Sequence, residues 1–119
     1  MRVGVGEHLI LGDGGWLTHA IYLGEGEIIA SLFNGWTWNP VAQVAIASLF
    51  DDRTWARVRR YARPAHAGLA VVARIRSRLG EEVALDRGEL CTWAVTGSEY
   101  CARQDYVDLP CDVDVAGRT

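Results

Sequence analysis

The chain has no lysine, so all 12 of its basic residues are arginine. It also has only one methionine and three prolines, and no apolar run close to the roughly 18 residues that a membrane-crossing helix needs. The opening MRVGVGEHLILGDGG lacks the charged start and long apolar stretch of a secretory signal. The expectation is a cytoplasmic protein with no membrane contact. The three cysteines, Cys91, Cys101 and Cys111, form no C-x-x-C pair and are odd in number, so neither a disulfide framework nor a zinc cage is indicated. A Cys101 to Cys111 bridge stays open. Gly4-x-Gly6 lacks both a third glycine and a preceding strand, so it is no dinucleotide fingerprint. No metal and no cofactor are expected.

What is present suits one domain over residues 1 to 119, half of them apolar. The net charge of −3 is unevenly spread. Eight of the 12 arginines lie between Arg53 and Arg78 with no acid among them, while six acids precede this stretch and nine follow it. These arginines either pair with the acidic remainder or meet an anionic partner, nucleic acid or an acidic protein surface. The acidity of the remaining chain argues against a specific nucleic-acid site.

Short apolar runs and glycine-rich breaks lay out the first half. HLILG (8 to 12), WLTHAIYL (16 to 23) and EIIASL (27 to 32) read as strands joined at Asp13-Gly14-Gly15 and Gly24-Glu25-Gly26. FNGWTWNP (33 to 40) reads as a loop carrying Phe33, Trp36 and Trp38 between breakers. VAQV and WARVRRYA (55 to 62) read as further strands, with a helical turn in AIASLF. A helix is expected from Pro64 to Gly80, with Leu69, Val72, Arg76 and Leu79 recurring at helical spacing beside Ile75. His66 would sit in its first turn. A second helix is expected from Asp86, as N-cap, to Thr96, with Gly97 as its stop. Strands first and helices later give an α+β domain, a small antiparallel sheet packed against two or three helices.

The ordered segments GEHLIL, THAIYLGEGEIIAS, PVAQVAIASLFDD, RVRRY, ARIRSRLGEE, DRGELCTWAVTG and SEYCARQ resemble the permuted papain-like domains related to lecithin:retinol acyltransferase, over residues 4 to 107. The resemblance implies a base histidine on the second strand, a second histidine further along, and a cysteine nucleophile at a helix start, where the dipole and an imidazolium favour the thiolate. An ungapped match puts Thr18, Ala30 and Arg87 at those positions, and none of the three can perform thiol chemistry. A one-residue deletion before Ile21 would instead bring His19 to the base position, with Cys91 replacing the nucleophile one helical turn later. His8, beside Glu7, is expected to be a half-exposed strand residue, and Glu89 to be an acid favourable to a helix start.

These readings converge on a non-catalytic protein-binding module on a degenerate papain-like fold. A phage or mobile-element inhibitor of a bacterial defence system, an anti-CRISPR protein included, is the concrete form considered. The expected contact residues are Phe33, Trp36 and Trp38, followed by Arg57, Arg59 and Arg60. Two alternatives stand beside it: a thiol hydrolase or acyltransferase using Cys91 and His19, and an anion-binding module using the central arginines.

Overall fold

A computed structural model describes residues 1–32, 40–83, 88–98 and 105–113. Among them, six strands form one antiparallel sheet: β1 (His8–Gly12), β2 (Leu17–Gly24), β3 (Glu27–Ala30), β4 (Ala42–Ala45), β5 (Trp55–Tyr61) and β6 (Tyr106–Pro110), in the order β4-β3-β2-β1-β5-β6. Two helices accompany them, α1 (Leu69–Arg76) and α2 (Glu89–Thr96), with a 3₁₀ turn at Ile46–Ser48. The α+β class and the sheet packed against two helices agree with the sequence. No helix among the described residues is long and apolar enough to cross a membrane.

The turns set the register. Asp13 Oδ1 accepts hydrogen bonds from the Gly15 and Trp16 N–H groups at 2.8 and 3.2 Å, which closes the β1–β2 turn and places Gly12 opposite Leu17. From there, strand alternation divides the chain between two faces. Leu9, Leu11, Ala20, Tyr22, Ile28, Ala30 and Val58 pack on one face with Ile46 of the 3₁₀ turn. Ile21 and Ile29 face the other way, against Val71 and Ile75 of α1 and Leu90, Cys91, Ala94 and Val95 of α2.

Three expectations are corrected here. The first helix begins at Leu69, not Pro64: the Ala65 and His66 N–H groups donate to the Val95 carbonyl, and Gly68 takes φ 55°, ψ −126°, which no helix can contain. His66 therefore precedes the helix. The buried face of α1 is Val71, Val72 and Ile75, while Leu69, the first residue of the helix, and Leu79, beyond its end at Arg76, are 78% and 42% exposed. The N-cap of α2 is Gly88, at φ 96°, and Asp86 lies outside the described residues. The edge strand β6, with its Asp108 and Pro110, went unread because it lacks a run of apolar residues.

Candidate functional site

The register makes a polar row across three strands. His8 lies opposite Ile21 on β2 and opposite Arg59 on β5, so His19 and Tyr61 are its diagonal neighbours on the same face. This face meets the first turns of α2. His19 Nδ1 lies 2.8 Å from His8 Nε2, His8 Nδ1 lies 2.8 Å from the Tyr61 hydroxyl, and that hydroxyl lies 3.0 Å from Thr92 Oγ1. The Thr92 N–H donates to the Gly88 carbonyl at 2.8 Å, and Gly88 abuts the His19 ring. Sheet and helix are thus joined by a row of side-chain hydrogen bonds, with the Gly88 backbone packed against its His19 end. His8 is fully buried, which corrects its expected half-exposed state, because α2 and Tyr61 cover it.

Both imidazoles are held neutral. Burial pushes the His8 pKa well below its ordinary value, helped by His19 and then by the Arg59 charge. Burial, followed by Arg59, lowers His19 to about 4, against a smaller opposing pull from Asp108 and Glu89. Two proton arrangements satisfy the row. In one, Thr92 donates to Tyr61, Tyr61 to His8 and His8 to His19, leaving the single His19 proton on Nε2. In the other every donor reverses, and His19 Nε2 carries a bare lone pair. Such a row can deliver or withdraw a proton at His19.

A nucleophile beside it is what the described residues lack. Position 88, at the helix start facing His19, is a glycine, and a Cβ there would lie 2.8 Å from His19 Nδ1. Cys91 is 1% exposed and belongs to the apolar cluster with Val71 and Ile75. Thr18, the base position of the ungapped match, is buried on the face with Ala20 and Tyr22, away from both helices, and Ala30 shares that face. Strand alternation thus gives His19, not Thr18, to the helix side. Arg87 lies outside the described residues, as do Phe33, Trp36, Trp38 and Cys101. Cys111 is a free thiol whose pKa burial raises to about 11.

Three of the central arginines are paired with acids. Arg59 Nε and Nη2 donate to the two Asp108 carboxylate oxygens at 2.8 and 3.0 Å, and its guanidinium stacks 3.9 Å from the Tyr106 ring centre. Arg60 Nε and Nη2 hold Glu7 at 3.0 and 3.3 Å, and Arg78 pairs with Glu81. Arg57 is exposed and lies 4.8 Å over the Trp55 ring, which crosses Gly12 toward Leu17, itself 52% exposed. This row of Leu17, Trp55 and Arg57 occupies sheet surface that the two helices leave open.

His8, Tyr61 and Thr92 were missed as a group by sequence reasoning. The signal that finds them is the β1–β2 register, which follows from the Asp13 turn and makes His8 and His19 diagonal partners. No group of His, Cys, Asp and Glu that could hold a metal ion occurs among the described residues. In comparisons with known proteins, no family profile and no curated protein matches this chain.

Proposed function

We propose that this chain is a non-catalytic protein-binding module, retaining a proton-relaying row of side chains as a structural tie. The carrying observation is Gly88: the helix start that faces His19 has no side chain, and the thiol three residues on is packed in the core. Among the described residues no nucleophile stands beside this neutral histidine, as acyl transfer would need. Burial of Cys91 speaks against the thiol hydrolase reading in the same way.

A binding role draws support from the open sheet surface of Leu17, Trp55 and Arg57, since tryptophan and arginine dominate binding energy where they fill a partner's pocket. The segment 33 to 40, with Phe33, Trp36 and Trp38, is the second contact of this reading. The test has two arms. In the first, turnover of activated esters and amides is compared between the native chain and His19→Ala and Cys91→Ala variants, with no difference expected. In the second, partners retained by the immobilised domain are compared with those retained by a Trp55→Ala/Arg57→Ala variant of unchanged melting behaviour, which should lose them. Ester hydrolysis that disappears with His19 overturns the proposal.

A further inference from the structure

Strand β5 carries three arginines, and acids pair with two of them. Arg59 stands opposite Asp108 on β6 and is held by both of its carboxylate oxygens, and Arg60 is held by Glu7. Arg57 has Ile10 opposite it on β1 and Pro110 on β6, neither of which carries charge. Asp112, two residues beyond Pro110, lies 3.8 Å from the Met1 amine instead. Arg57 is exposed, and among the described residues it makes no hydrogen bond and no ion pair.

Its guanidinium is nonetheless held in place. Gly12 has no side chain, and the Trp55 indole occupies that space: a Cβ on Gly12 would lie 2.5 Å from Trp55 Cζ2. The indole so seated carries the Arg57 guanidinium 4.8 Å from its ring centre. A guanidinium stacked on a ring keeps its in-plane N–H groups for a partner and has less freedom to lose on meeting one. On the far side of Gly12, Leu17 is 52% exposed, and Pro110 is exposed beside Arg57. These residues form an apolar strip across β2, β1, β5 and β6, roughly 14 Å wide from the spacing of strands, with one cation that no acid neutralises among the described residues.

We propose that this strip docks an acidic segment of a partner protein, with one of its carboxylates on Arg57 and an adjoining apolar side chain on Trp55 and Leu17. The proposal rests on the protein contact assigned above to the same surface and adds the chemistry of the partner. Two features of charge favour it. Pairing between arginine and a carboxylate is charge-assisted and can be bidentate. A single unpaired arginine, in a chain whose net charge is −3, suits one carboxylate better than a run of phosphates.

The probe is a short capped peptide of alternating glutamate and leucine, titrated into the full chain and followed by NMR at the Trp55 indole N–H and the Arg57 Nε–H. Saturable shifts are expected, with a Kd of about 1 mM or tighter. The same peptide with glutamine in place of glutamate should bind about fivefold more weakly, and this preference should shrink as salt rises. Arg57→Gln, which alters an exposed side chain and leaves the fold intact, should abolish the preference while keeping the weaker apolar binding. Equal affinity of the two peptides for the native chain overturns the acidic partner and leaves the surface contact standing. No saturable shift with either peptide overturns both at this surface. A preference that survives Arg57→Gln also overturns the proposal, as does an oligothymidylate that binds as tightly as the glutamate peptide at physiological salt, which would mark the strip as a nucleic-acid surface.

Discussion

His19 Nδ1 and His8 Nε2 lie 2.8 Å apart in a buried site, so a single proton serves both nitrogens and neither ring can take up a second without facing the other. The pair links the first hairpin to β5 through Tyr61 and to α2 through Thr92. A buried polar row of this kind is costly when partly satisfied and rigid when complete. Its three side-chain hydrogen bonds tie α2 to the sheet through Thr92.

Stability should therefore fall in mild acid. Both histidines have pKa values lowered on folding, His19 to about 4 from 6.5. Between those two values the unfolded chain binds more protons than the folded one, so unfolding free energy rises with pH across this window and levels off above it. The loss on going from pH 7.5 to 4 is on the order of 3 kcal/mol for His19 alone. Urea midpoints measured across this range should show the slope, and a His8→Phe/His19→Phe double variant should flatten it. A native chain with no slope between pH 4 and 6.5 would mean that the rings are not buried as a neutral pair.

Removing one hydroxyl should expose the dependence of the row on Tyr61. In Tyr61→Phe, the ring contact with Tyr106 remains, but His8 Nδ1 and Thr92 Oγ1 lose their shared partner. Leaving a buried polar group unsatisfied costs about 1–3 kcal/mol. Thr92→Val should cost less, because Tyr61 retains His8. Chemical denaturation of the two variants checks the order, and a reversed order would place the main tie elsewhere.

Most of the sheet was legible from residue pattern, and its site was not. Apolar runs marked β1 to β5 within a residue or two, and β1, β2, β3 and β5 each bury at least one face. β6 escaped because an edge strand is held by its neighbour: Asp108 meets Arg59 and Tyr106 meets Tyr61 across the pair. Pro64 misplaced the start of α1 because the decisive interactions, the Val95 carbonyl and the Gly6–Gly68 contact, are long-range. The polar row depends on register, and a linear pattern carries register only where a turn such as that at Asp13 specifies it. His8 looked peripheral for that reason.

Cys91 should react slowly. It is 1% exposed within α2, in one apolar cluster with Val71 and Ile75, and three residues past the Gly88 N-cap, so burial blocks the reagent. Cys111 is half-buried, with its pKa raised to about 11. At neutral pH, alkylation resolved by peptide mass spectrometry should modify Cys111 before Cys91, and Cys91 only as fast as the domain opens. Prompt, selective labelling of Cys91 would show a reactive thiol and revive the hydrolase reading.

Gly88 and Gly97 flank the same helix and supply an internal control for the role of His19. Both have positive φ, 96° and 83°, so an alanine at either position carries backbone strain of about 1 kcal/mol. The surroundings differ. A Cβ at Gly97 meets no atom within 4 Å, whereas a Cβ at Gly88 would lie 2.8, 3.0 and 3.2 Å from three atoms of the His19 ring. Relief of that overlap requires the ring to move, and movement breaks its hydrogen bond to His8. Gly88→Ala should accordingly cost about 2 kcal/mol more than Gly97→Ala, the overpacking adding to the strain. Urea denaturation gives the difference, and the imidazole resonances of His8 and His19 should shift in Gly88→Ala alone. Equal losses with unchanged imidazole signals would show that α2 does not rest on His19, and would remove the argument that this helix start has no room for a nucleophile.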